Sequence, residues 1–153
     1  ARGEMVITID ADLQNDPRDI PTLLEYLKDY DMVTGWRQKR EDSWVKRITS
    51  KIANRIRNWL SGETIRDSGC TFRAYKRECL QNLKLYKGMH RFMPTLVKME
   101  GFRVIEIPIA HHPRKFGVSK YTTWNRMWRA FVDLLAEKWM KKRHINYEIE
   151  ERI

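Results

Sequence analysis

The run Met5-Val6-Ile7-Thr8-Ile9 stops at Asp10-Ala11-Asp12-Leu13-Gln14. Apolar and β-branched residues in an unbroken row make a strand that has to be covered. Side chains on a strand repeat every second residue, so Asp10 and Asp12 can face one side at its end. Two converging carboxylates repel unless a cation lies between them, and an all-oxygen site suits a hard ion such as Mg²⁺ or Mn²⁺. A capped acidic turn explains the same residues, with Asp16-Pro17 as the turn and Asp16 or Asp19 as the helix cap. The residues beyond this turn limit the fold. Ile20, Leu23, Leu24 and Leu27 form a stripe at helical spacing within Asp19 to Tyr30, and Asp31 to Gly35 then reads as a short buried strand. Strand, helix, strand in that order calls for an α/β architecture with the two strands as a parallel pair.

Downstream, Trp36 to Asp42 is a polar, basic loop. The spacing of Val45, Ile48, Ile52, Ala53, Ile56, Trp59 and Leu60 predicts a helix from about Ser43 to Leu60, ended by Ser61-Gly62. Ile65 to Ala74 is irregular or strand-like. Helices are predicted over Tyr75 to Leu83 and Arg91 to Glu100, and Phe102 to Ile109 alternates as a strand, with Pro108 marking its end or an edge. His111 to Tyr121 is a charged loop, in which His111 and His112 read as loop residues rather than metal ligands. A last helix, about Thr123 to Arg143, carries Trp124, Met127, Trp128, Phe131, Leu134, Leu135 and Trp139 beside Arg126, Arg129 and Lys138. Either a packed core or a membrane interface accounts for such a stripe. Its three tryptophans, of six in the chain, favour the interface.

Charge is segregated. Of a net +10, residues 36–60 contribute 8 basic against 2 acidic side chains and residues 111–143 contribute 9 against 2, whereas the first 35 hold 8 acids against 3 bases. The partner implied is anionic and local: a phosphorylated substrate, an anionic membrane or nucleic acid. The 153 residues suffice for one domain. No apolar run is long enough to span a bilayer, and the chain enters its first strand without a secretory signal, reading like the middle of a protein. Cys70 and Cys79 form no metal-ligand pattern and are expected as reduced thiols.

Four patches, in order, resemble the glycosyltransferase family 2 enzymes that act on polyprenyl phosphates, the dolichol-phosphate mannose synthases and their bacterial relatives. They are Asp10-Ala11-Asp12-Leu13-Gln14 with Pro17; Gly35-Trp36-Arg37 with Arg47, Ser50 and Asn54; Asp67-Ser68-Gly69-Cys70-Thr71-Phe72-Arg73; and Arg114-Lys115-Phe116-Gly117-Val118-Ser119-Lys120-Tyr121. The likeness runs from Met5 to about Arg143. It implies the C-terminal part of a GT-A (Rossmann-like) domain with a basic amphipathic C-terminal helix. Residues 1–121 would be the catalytic and acceptor half, 122–143 the membrane-interface helix and 144–153 a tail. The βαβ half that in the family precedes the Asp-x-Asp strand and binds the nucleotide is not among these residues.

The resemblance further implies inverting transfer of a sugar from a nucleotide-diphosphate sugar to a polyprenyl phosphate, with Mg²⁺ or Mn²⁺ as cofactor. Asp10 and Asp12 would hold the metal, and with Gln14 and Arg37 would bind the donor diphosphate. Asp67, with Asp12, belongs to the catalytic set; positioning of acceptor or sugar is its expected role, since a phosphate monoester with second pKa near ~6 is already ionised at neutral pH. A carboxylate bonded to the backbone of its own turn is the structural alternative. Arg47, Ser50, Arg73, Arg114, Ser119 and Lys120 would clamp the acceptor phosphate. The place of action would be the cytoplasmic face of a membrane, peripheral or anchored by segments outside this chain. A lipid- or partner-binding half-domain without catalysis is one alternative. A nucleic-acid-binding domain is another, but it leaves Asp10 and Asp12 unexplained, and no nucleic-acid partner is expected.

Overall fold

The computed structural model describes residues 2–38, 55, 58, 59, 62, 64–83, 86–112 and 123–145. Among the described residues four strands form one mixed sheet: β1 (Met5–Thr8), β2 (Met32–Arg37), β3 (Arg73–Lys76) and β4 (Val104–Ile109), in the order β1-β3-β2-β4. The parallel pair expected between the first two strands is not formed. β3 inserts between them, antiparallel to both, and the parallel partner of β2 is β4. Local spacing marks β1, β2 and β4 but carries no information about which later segment comes back to fill the gap. Pro108 does lie on an edge strand, where its missing N–H costs no ladder bond on the outer side.

Helix α1 (Ile20–Tyr26) follows a 3₁₀ turn at Pro17–Asp19. Asp16 caps that turn, its Oδ1 accepting from the Arg18 N–H at 2.9 Å. Asp19 makes no cap bond to α1; its Oδ2 accepts from the Ala110 N–H at 3.2 Å and ties the turn to the end of β4. The segment predicted as one helix from Tyr75 continues β3 to Lys76 before the short α2 (Glu78–Gln81). α3 (Met93–Met99) and α4 (Thr123–Arg143) complete the described elements. Arg55, Asn58 and Trp59 are helical. The rest of the helix predicted from Ser43 lies outside the described residues.

The register sorts the core. Ile7, Ala74, Val33 and Ile105 sit opposite one another across the four strands. They share a cluster with Leu23 and Leu27 of α1, Phe72, Ile107 and Ile109. On the other face Met32, Tyr75 and Val104 pack with Met93 and Val97 of α3. Side chains such as Leu23, Val33 and Phe72 have no exposed surface, each worth about 1.5–3 kcal/mol of burial. Gly35 is required where β2 passes Ile109, since a Cβ there would stand 2.6 Å from Ile109 Cδ1.

α4 docks through Leu134 onto Phe92 and Leu96, with Tyr86 and Met140 alongside. Elsewhere on this helix Trp128, Phe131, Val132, Leu135 and Trp139 are exposed. Lys138 lies over the Trp59 ring and Arg143 over the Trp139 ring, each 5.9 Å from the centroid. Among the described residues no helix is long and apolar enough to cross a membrane.

Candidate active site

The strand end at Asp10 and Asp12 closes on a polar cleft lined by Asp10, Asp12, Gln14, Asn15, Arg37, Gly69 and His111, among others. The loop after β1 is shaped by its own side chains. Asp12 Oδ1 accepts from the Gln14 N–H at 3.2 Å, and Leu13 between them takes φ 61°, the left-handed region that a leucine enters only under constraint. Gln14 fastens the loop to the chain beyond β4. Its carbonyl accepts from the His112 N–H at 2.8 Å and its Nε2 donates to the His112 carbonyl at 3.3 Å. The His111 Nε2 lies 3.5 Å from the Gln14 amide nitrogen.

The loop before β3, which carries Asp67, lines the same cleft through Gly69, Cys70 and Thr71. The Asp67 carboxylate bonds across to the end of β2. It is gripped at both oxygens by Arg37 at the end of β2, from Nε at 2.6 Å and Nη2 at 2.9 Å, with the Arg37 backbone N–H at 3.4 Å. A bidentate, largely buried pair of this kind fixes both side chains in one geometry. Gly69 passes close to it: a Cβ there would lie 3.4 Å from Arg37 Nη2.

Beneath that loop runs a row of polar side chains that no stretch of sequence displays as a unit. Thr8, Arg73, Thr34 and Glu106 are register partners across all four strands. Thr8 Oγ1 donates to the Thr71 carbonyl at 2.6 Å. Arg73 donates to the Ser68 carbonyl at 3.0 Å, to Thr34 Oγ1 at 3.2 Å and to the His90 carbonyl. The Glu106 carboxylate accepts from the Arg66 N–H at 2.8 Å and the Asp67 N–H at 2.8 Å. The sheet thus holds residues 66, 67, 68 and 71 from below.

Arg73 therefore departs from its expected place in an acceptor-phosphate clamp. It is 2% exposed and spends its guanidinium on three neutral oxygens inside the protein. Arg37, expected beside the donor diphosphate, lines the cleft while paired with Asp67. Arg47, Ser50, Arg114, Ser119 and Lys120 lie outside the described residues. Glu106, Asn15 and His111 were not foreseen as site residues. Glu106 looked like the polar phase of an alternating strand, and His111 like loop. The one available signal for His111 is its position just after a predicted strand.

An oxygen-binding cation suits these groups. Asn15 is 8% exposed, lines the cleft and has an Oδ1 without a hydrogen-bond partner among the described residues. Two carboxylates and this amide oxygen form a hard-donor set. Among the described residues no group of three His, Cys, Asp or Glu side chains is arranged for a metal. The oxygen donors that line the cleft are the carboxylates of Asp10 and Asp12 and the amide oxygens of Gln14 and Asn15. Away from the cleft, Asp31 holds the sheet's other end. Burial opposes its charge, but hydrogen bonds from Lys76 Nζ and the Arg103 N–H, with the charges of both residues, outweigh it and keep the carboxyl below its usual range.

Residues 1–84 match the model of glycosyl transferase family 2. The chain is similar to dodecaprenyl-phosphate galacturonate synthase of Rhizobium johnstonii, at 38% identity over 141 residues. That alignment takes in 89% of this chain and 41% of the relative, so the chain spans about two fifths of that protein's length. A match over more than half of the chain, on a mixed α/β sheet of the kind a GT-A domain segment requires, settles the family: the chain belongs to glycosyl transferase family 2.

Proposed function

We propose that the protein containing this chain transfers a sugar, with inversion, from a nucleotide-diphosphate sugar to a polyprenyl phosphate, at the cytoplasmic face of a membrane. One observation carries the reading: the strand end with Asp10 and Asp12 and the loop with Asp67 line a single cleft, which Arg37, paired with Asp67, also lines. The named relative, a synthase of a dodecaprenyl-phosphate sugar, supplies the acceptor class.

Asp10 and Asp12, with Asn15, would hold Mg²⁺ or Mn²⁺, and the ion when bound supplies charge to the departing diphosphate. Gln14 and Arg37 border the place of that diphosphate. An oxygen of the acceptor phosphate attacks the anomeric carbon as the carbon–oxygen bond to the diphosphate breaks, and one face of the sugar is exchanged for the other. The attacking phosphate is already ionised near neutrality, with a second pKa of about 6, so the step needs no strong base. Asp67 is better employed in placing the reacting groups. Paired with Arg37, it keeps the guanidinium at the cleft while cancelling part of its charge, so the anionic donor is held without being trapped. Arg47, Ser50, Arg114, Ser119 and Lys120 are proposed for the acceptor phosphate.

The lipid would approach along α4. Trp128, Phe131 and Trp139 stand exposed beside Lys138, Lys141, Lys142 and Arg143, the mixture that lies in an anionic interface. The same basic surface is assigned to lipid and not to nucleic acid, since nucleic-acid binding gives no role to the carboxylate cleft.

The test is transfer of labelled sugar from a panel of nucleotide sugars to a short polyprenyl phosphate by the full-length protein, with Mg²⁺, with Mn²⁺ and with chelator. Metal-dependent, lipid-soluble product is expected. Absence of product with every donor, together with no binding to anionic vesicles, would remove the reading.

A further inference from the structure

Asp67 owes its place to groups that the proposed chemistry does not use. Its backbone N–H and that of Arg66 both point to one carboxylate, Glu106, at 2.8 Å each to their nearest oxygen, with Arg66 N–H also 3.0 Å from the other. Consecutive N–H groups turned to one side form a small anion-binding nest, and here the anion is part of the protein. Glu106 stands in the middle of β4, paired in register with Thr34 of β2, so its Cα is fixed by the sheet rather than by a loop. The carbonyl of the next residue, Ser68, is held from the same row by Arg73 at 3.0 Å, and the Asp67 carbonyl closes the turn by accepting from the Cys70 N–H at 3.2 Å. The peptide unit before Asp67 and the one after Ser68 are therefore pinned to the sheet, the first through a carboxylate and the second through a guanidinium. From that backbone the side chain extends to Arg37.

We infer that Glu106 is a positioning residue for the transfer reaction: by binding the Arg66 and Asp67 N–H groups it sets the direction of the Asp67 carboxylate, and through it the Arg37 guanidinium, at the cleft of Asp10 and Asp12. The inference rests on the proposed role of Asp67. Glu106 touches neither donor nor acceptor. Its effect passes wholly through the Asp67 turn. Reacting groups lose rate steeply when displaced, about a hundredfold for an ångström.

Glu106→Gln keeps the shape and one acceptor oxygen but removes the charge and the second oxygen. It is expected to lower kcat of the full-length protein by about 10- to 100-fold with donor KM changed less than threefold. Far-UV circular dichroism should be retained, and amide exchange at residues 66 and 67 should quicken. The deciding arm repeats the substitution in an Asp67→Asn background, where Glu106 has nothing left to aim. There Glu106→Gln should cost less than about twofold, because the two changes act as one unit. An equal loss in both backgrounds overturns the inference, since it makes Glu106 a general support of the fold. Unchanged kcat after Glu106→Gln, with Asp67→Asn impaired, overturns it as well. Full activity of Asp67→Asn overturns the role proposed for Asp67, a result separate from the other two. Should Glu106→Gln not fold, Glu106→Asp serves in the same cycle: it keeps the charge but stops one methylene short of the two N–H groups.

Discussion

Replacing Arg73 by lysine separates two accounts of the same residue. In the structure its guanidinium is buried and reaches Thr34 Oγ1, the Ser68 carbonyl and the His90 carbonyl. A lysine ammonium on a stem of similar length is a point donor and can satisfy one of these acceptors well, where the planar fork serves all three. Hydrogen bonds from a charged donor contribute about 1.5–3 kcal/mol each, so losing two, partly offset by relaxation, costs about 3 kcal/mol. Against a domain stability of about 5–15 kcal/mol, that is a large share. Urea unfolding followed by tryptophan fluorescence should show the midpoint falling with an unchanged slope. Acceptor KM, measured where the variant is still folded, should stay within about threefold, because no bound phosphate is lost; full removal of a charged contact would shift it by tenfold or more at about 1.4 kcal/mol per decade. A stability loss below about 1 kcal/mol together with a large rise in acceptor KM would refute the argument and restore Arg73 to the phosphate clamp.

Three other contacts give outcomes of their own. Asp31→Asn should destabilise the protein at neutral pH by about 1–3 kcal/mol by weakening the bonds to Lys76 and the Arg103 N–H. Because the folded carboxyl lies below its ordinary 3.8, the wild type's advantage is full above that pH and fades as pH falls through the lower folded value; thermal melts down the acid range read this directly. Burial lifts both thiols, Cys79 to about 11, and the two side chains are almost wholly covered. An aromatic disulfide reagent at mildly alkaline pH should therefore label neither in the native state and both in denaturant, and rapid native labelling would contradict the packing. Gly35→Ala should cost about 1–3 kcal/mol by driving a methyl into Ile109, and Ile109→Val, which removes the Cδ1 at 2.6 Å, should recover part of the loss.

Much of the fold could be read from side-chain spacing, because strands and helices declare themselves through contacts made within a few residues. Met5–Thr8 and Val104–Ile109 fall where a buried run or alternation placed them, β2 runs on from the expected Asp31–Gly35 strand through Trp36 and Arg37 of the predicted loop, and α4 spans the residues from Thr123 to Arg143. Strand order is different. The insertion of β3 between β1 and β2 depends on which distant segment best covers the open edges, and Arg73-Ala74-Tyr75-Lys76 has no alternation that tells strand from helix. The cleft divides in the same way. Asp10, Asp12 and Asp67 stand in short motifs, whereas Glu106 and Thr8 gain their roles only when register aligns them with Thr34 and Arg73. Arg73 illustrates the limit most clearly: an arginine in a motif is equally suited to a ligand and to a buried carbonyl brace, and only its burial decides.

The central claim is that Asp10 and Asp12 form the donor side of a sugar-transfer centre. Substituting Asp12→Asn in the full-length protein tests it most directly, since the amide keeps one acceptor oxygen for the Gln14 N–H while losing the charge and the second oxygen. Metal-dependent transfer to polyprenyl phosphate should fall to background while binding to anionic vesicles stays as in the wild type. Transfer at the wild-type rate would contradict the account.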